Sequence, residues 1–195
     1  MQLKTRIQAL LKNELADFSL DDAFLQRSTA DKIEDDCRKI VKSHFKDSYK
    51  PARSKRSLED FLIMEDGTKN WIDVKTHFAQ LEVGFSMPNL VSIDRLRKTL
   101  NKPDEEIVYV FVSYTRTDKV YIKDVEVRYV YELDWSVLQI GNLGKGQLQI
   151  RDANKPLVYT TEGRESWMNR LKQEAISFYE KRIKAVEKEL NTWKQ

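Results

Sequence analysis

The chain has 195 residues, with 34 Lys and Arg against 31 Asp and Glu, two His and one Cys. Hydrophobic residues at 41%, charged residues at 33%, and only six Gly and four Pro exclude collagen-like, low-complexity and wholly disordered classes. The lone Cys37 excludes an internal disulfide framework and a cysteine-built zinc site. No apolar run reaches the length of a membrane span, and the first residues lack the apolar stretch of a secretory leader. The expectation is a cytoplasmic protein without a membrane segment, forming a single domain over residues 1–195. The net charge of +3 does not itself announce a polyanion partner.

Along the chain, Leu3, Ile7, Leu10, Leu11 and Leu15 fall on one face of an amphipathic helix over about 2–17. Ser19 to Asp22 reads as a break. A second helix is expected from about Thr29 to Phe45, capped by Ser28 or Thr29. Its buried face would hold Ile33, Cys37, Ile40, Val41 and His44, with Glu34 beside that face. Lys50 to Arg56 is a loop in which four of seven residues are basic. Phe61 to Met64 is a short buried strand, and Asp66-Gly67 is the strongest hairpin signal in the chain. Trp71 to Phe78 is the returning strand. A third helix is expected from about Asn89 to Leu100.

Glu106 to Tyr114 is apolar almost throughout and rich in β-branched and aromatic residues, as a central strand covered on both faces is. Val120 to Tyr131 alternates, with a phase slip between Ile122 and Val125 that predicts a bulge. Gly141 to Gly146 concentrates three of the six glycines in one loop. Residues 165–193 form a long charged helix, with Trp167, Leu171, Ala175, Phe178, Ile183 and Val186 among its apolar contacts. Helices, then sheet, then a helix give an α/β or α+β class around one mixed central sheet.

The chemistry concentrates between Ser57 and His77. Asp60 stands at the mouth of one strand and, thirteen residues on, Asp73 lies in the next, followed by Lys75. Residues i and i+2 of a strand share a side, so Asp73 and Lys75 point one way while Ile72, Val74 and Thr76 point the other. If the two strands pair through Asp66-Gly67, Asp60 comes alongside Asp73. Two carboxylates on one strand pair, with no evident neutralising arginine between them, suit a hard divalent cation. A lysine beside that cation can orient a water or stabilise charge developing on a phosphate.

Asp60, a turn, and Ile72-Asp73-Val74-Lys75 as hydrophobic-D-x-K resemble the PD-(D/E)xK nuclease superfamily, especially its type II restriction endonucleases. Glu59 replaces the proline that names the motif, which leaves Glu59 and Asp60 as rivals for one role. Asp60 is favoured because it directly precedes the apolar strand. The resemblance implies a mixed sheet flanked by helices and Mg²⁺-dependent hydrolysis of double-stranded DNA, with Mn²⁺ able to substitute. It implies that Asp60, Asp73 and the Val74 carbonyl hold the metal and that Lys75 positions the attacking water. Glu34, from the upstream helix, would bind a second metal or tune the first. Cutting both strands of a palindrome implies a homodimer. No small-molecule cofactor is expected.

Arg53, Lys55 and Arg56, with Lys50, run into the proposed site and are candidate phosphate contacts, as are Thr76 and His77 beyond Lys75. Asn142, Lys145 and Gln147 around the glycine loop suit base edges, and Arg116 with Lys119 is a weaker version of the same idea. Each has a plainer reading as a solvated loop or a wall residue. Two other functions compete: a repair or junction-resolving nuclease of the same fold, and a non-catalytic nucleic-acid-binding or interaction module.

Overall fold

Leu3, Ile7 and Leu11 recur at helical spacing and form the buried stripe of α1 (Leu3–Glu14). The computed structural model describes residues 2–21, 26–54, 58–79, 89–152 and 155–194. Ser19 to Asp21, expected as part of a break, instead forms the edge strand β1 (Ser19–Asp21). Helix α2 (Gln26–Phe45) begins before Ser28 and Thr29, so both positions lie inside the helix rather than at its expected start. Ile33, Cys37, Val41 and Phe45 are buried along it. His44, expected on that buried face, is exposed, with its ring edge against Phe45.

Strand β2 (Tyr49–Pro51) precedes the basic loop and pairs antiparallel with β3 (Phe61–Glu65). Strand β3 turns into β4 (Thr68–Phe78) through Asp66 and Gly67, whose φ values of 49° and 77° are those of a type I′ hairpin turn. A Cβ on Gly67 would meet nothing within 4 Å, so only its backbone conformation demands glycine. Gly67→Ala is expected to lower stability by about 1 kcal/mol in urea unfolding, with no change of fold.

The stretch expected as one helix over 89–100 divides into β5 (Asn89–Ser92) and α3 (Ile93–Leu100). Strand β6 (Glu105–Arg116) runs parallel to β4, with Asp73 beside Tyr109. Ile107, Val108, Tyr109 and Val110 are all fully buried, as a strand covered on both faces requires. Strand β7 (Lys119–Tyr129) pairs antiparallel with β6. Ser113 faces Asp124 and Tyr114 faces Ile122, which leaves Lys123 as the extra residue of the expected bulge. The six-stranded mixed sheet has the order β1-β7-β6-β4-β3-β2. Ile72, Val74, Val108, Val110 and Val112 pack from one face of it against Ile7 and Leu11 of α1 and Ile33, Cys37 and Val41 of α2.

Strands β8 (Leu138–Gly141) and β9 (Gln147–Ile150) form a hairpin that joins β5 in a second, three-stranded sheet. The long C-terminal helix α4 (Arg164–Trp193) follows. Trp167 and Leu171 are buried on it, and the Trp167 indole N–H donates to the Leu133 carbonyl at 2.8 Å. Ile183 and Val186, expected among its apolar contacts, are exposed. The chain packs as two compact units: Met1–Ser86 with Thr99–Val130, and Met87–Lys98 with Tyr131–Gln195. Among the described residues, no helix is long and apolar enough to cross a membrane.

Candidate active site

The hairpin register decides what Asp60 meets. Phe61 lies opposite Ile72, so the next pair outward is Asp60 with Asp73. The Asp60 amide donates to the Ile72 carbonyl at 2.8 Å, carrying the ladder one step past the strand. The Asp60 side chain then accepts from the Val74 N–H through Oδ2 at 2.7 Å. Two backbone contacts thus fix the carboxylate beside Asp73. Asp73 is itself only 8% exposed, and its Oδ2 lies 2.7 Å from Lys75 Nζ. The alternation of β4 holds as expected: Ile72 and Val74 enter the core, while Asp73 and Lys75 form an ion pair on the other side.

Burial, above all, pushes the Asp73 carboxyl up to about 7; Lys75 opposes this and Asp60 adds to it. Desolvation dominates because removing a carboxylate from water disfavours its charged form. Glu34, one face of α2 away, is likewise pushed up to about 7, first by burial and then by Asp60, with Lys75 and Arg38 pulling the other way. The structure therefore brings Glu34, Asp60, Asp73 and Lys75 into one electrostatic group within the first unit. A cleft of about 1110 Å³ opens there, lined among others by Asp31, Glu34, Arg38, Asp60 and Asp73.

The site is not without an arginine. Arg38 Nη1 stands 3.8 Å from Asp60 Oδ1, supplied by the helix rather than by the hairpin. Helical spacing puts Arg38 one turn after Glu34, so this neighbour was readable once Glu34 was placed. Tyr109 was not: its place beside Asp73 follows from the parallel register of β4 with β6. It is fully buried, and its hydroxyl has no hydrogen-bond partner among the described residues. Burial, and then the Asp73 charge, raise its pKa.

Glu59 is buried beside the cleft, with Oε1 held by Arg53 Nε at 3.4 Å. The Arg53 guanidinium also lies 4.6 Å over the Trp71 ring, so this predicted phosphate contact is engaged on its own chain. Thr76 and His77 follow Lys75 on β4, both half-buried. His77 has a lowered pKa, first from burial and then from Lys123. Arg116 lies seven strand positions beyond the residue beside Asp73, roughly 23 Å along the sheet, with Lys119 past the turn. Asn142, Lys145 and Gln147 belong to the second unit, at the β8–β9 hairpin. There Tyr179 and Arg182 of α4 donate to the Lys145 and Gly144 carbonyls, each at 2.7 Å. Lys55 and Arg56 lie outside the described residues.

Among the described residues, no group of three or more His, Cys, Asp or Glu is arranged to hold a metal ion by itself. The donor set that fits a divalent cation is the adjacent pair Asp60 and Asp73, since Mg²⁺ takes one or two protein carboxylates and keeps water or phosphate oxygens for the rest.

No family model matches this sequence, and the search of curated proteins by sequence gives no match. The architecture does have a solved counterpart: the NlaIV restriction endonuclease aligns over 92% of this chain and 91% of its own, at 13% identity and a TM-score of 0.54, and the fold is restriction-endonuclease-like.

Proposed function

We propose that this chain is a Mg²⁺-dependent endonuclease of the type II restriction kind, hydrolysing double-stranded DNA at a short site as a homodimer. The observation that carries the reading is the Asp60–Asp73–Lys75 cluster at the mouth of the β3–β4 hairpin, joined by Glu34 from α2. Asp60 and Asp73, with the Val74 carbonyl, would hold Mg²⁺, which when bound supplies charge stabilisation at the phosphate. Asp60 is assigned before Glu59 because its carboxylate is the one fixed beside Asp73. Lys75 Nζ, paired with the Asp73 carboxylate, would orient the attacking water. Glu34 and Arg38 set the charge on the cleft wall opposite. Attack on phosphorus in line with the departing 3′ oxygen leaves 5′-phosphate and 3′-hydroxyl ends.

The restriction-like fold supports restriction over a plain binding module. Incubation with long duplex DNA and Mg²⁺ should yield discrete fragments with uniform ends, and Mn²⁺ should substitute. Cutting only at branches or lesions would move the reading to repair. A folded protein that cuts nothing with either metal would end both.

A further inference from the structure

We infer that the C-terminal half of α4 pairs with the same helix of a second copy of this chain as a parallel two-stranded coiled coil. This adds to the dimer proposed above the surface that forms it, and it stands whether or not the cleft cuts DNA. Trp167 and Leu171 anchor the start of α4, but from Glu180 to Trp193 every residue is exposed. Past Arg182, whose guanidinium donates to the Gly144 carbonyl at 2.7 Å, the helix runs on exposed to Trp193, and so short a stretch is marginal in water by itself. Yet this stretch carries large apolar side chains in the open: Ile183 at 56%, Val186 at 57% and Trp193 at 84% exposure, with Ile176, Tyr179 and Leu190 also exposed.

Their spacing identifies the occupant. Positions 176, 179, 183, 186, 190 and 193 are separated by three and four residues in strict alternation. That is the a/d pattern of a heptad, a narrow seam whose 3.5-residue period follows a supercoiled partner. A helix lying on a globular surface shows a broader stripe. Ile at two of the three a positions favours two strands. Val186 and the aromatics at d do not add to that preference, and the seam is short. It therefore works as the extension of a helix already anchored at Trp167 and Leu171.

The flanking charges select the second copy and its direction. The g positions are Ala175, Arg182 and Glu189, and the e positions are Glu180, Glu187 and Lys194. In a parallel homodimer each g residue meets the e residue five positions later on the other chain. Arg182, which gives one guanidinium N–H to the Gly144 carbonyl and has others to offer, then faces the partner's Glu187, and Glu189 faces the partner's Lys194. Every charged g–e pair is attractive, and symmetry doubles it. An antiparallel pairing that matches the three a positions with the three d positions keeps Arg182 opposite the partner's Glu189 but sets Glu180 against the partner's Glu187, so attraction and repulsion cancel and the parallel pairing is preferred.

Sedimentation equilibrium of the full chain tests this. The expected mass is twice the 23.0 kDa chain mass. The double substitution Ile183→Asp with Val186→Asp should give a monomer that still unfolds cooperatively in urea, since both sites are exposed in the single chain. Glu189→Lys should weaken the dimer by setting like charges across the seam. Adding Lys194→Glu should restore it, which only the parallel arrangement allows. A monomeric wild type, a mass of three or four chains, a double Asp variant that stays dimeric, or a charge swap that fails to restore pairing would each overturn the proposal.

Discussion

Lys75→Ala is expected to slow DNA cleavage by ~10³-fold or more, about 4 kcal/mol of transition-state stabilisation. Lys75 Nζ is held 2.7 Å from Asp73, where the nucleophile would stand, whereas Arg38 on the cleft wall is turned to Asp60. Asp73→Ala should cost at least as much, because it removes one of the two proposed metal ligands. Neither change should abolish DNA binding. Affinity for duplex DNA comes from many phosphate contacts spread over a surface, and each contributes a small share. The two substitutions should even differ in sign: loss of the lysine weakens binding slightly, whereas loss of the aspartate removes a negative charge facing the phosphates. Single-turnover cleavage alongside a gel-shift titration in Ca²⁺ separates these effects. A variant of either residue that cuts at the wild-type rate would remove the site.

In the metal-free protein, Asp73→Asn is expected to raise stability at neutral pH. Burial and the neighbouring Asp60 hold the Asp73 carboxyl at about 7, against an ordinary 3.8. The folded chain keeps a proton there that the unfolded chain releases near pH 4. Between those values the folded state binds more protons, so this residue erodes stability as pH rises from about 4 to about 7, with no further change above. The titration of the carboxyl is worth at most a few kcal/mol across that window at ~1.4 kcal/mol per pKa unit, and loss of the Asp73–Lys75 ion pair subtracts from what the asparagine variant gains. Glu34→Gln should move in the same direction, since Glu34 is raised for the same first cause. Urea midpoints of the wild type and Asp73→Asn from pH 4 to pH 8 give the difference directly. Parallel pH profiles would mean that the carboxyl titrates normally. Mg²⁺ added at pH 8 should raise the midpoint of the wild type and leave that of Asp73→Asn nearly unchanged.

The parts of this molecule that were legible in its sequence are those with a short-range cause. Asp66-Gly67 specifies its own turn, and that turn fixes the register that sets Asp60 against Asp73. The unbroken run from Ile107 to Val112 marks a strand covered on both faces. The slip between Ile122 and Val125 reports the bulge at Lys123. What was hidden depends on partners distant in the chain. Ser19 to Asp21 is a strand only because β7 offers it a ladder, and Asn89 to Ser92 leaves a helical-looking pattern because β9 does the same. His44 fits the helical stripe of α2 by spacing, yet Phe45 takes the buried position of that last turn and leaves the histidine to one side of it. Ile183 and Val186 show the same ambiguity in reverse, since an apolar seam reads alike whichever chain covers it. In the site, Asp60, Asp73 and Lys75 followed from the two-residue period of a strand. Arg38 and Tyr109 enter through helix packing and parallel register.

The two outer strands of the six-stranded sheet have a consequence for how this protein behaves when crowded. Each is three residues long, and β2 carries Lys50 and ends in Pro51, which has no amide hydrogen to offer. A long open strand edge is a template on which another chain can add its own backbone and begin a fibril. Here the template is too short at both margins and is interrupted by proline at one. The sheet thus resists edge-to-edge aggregation, and self-association of this chain is left to side chains rather than to shared backbone ladders.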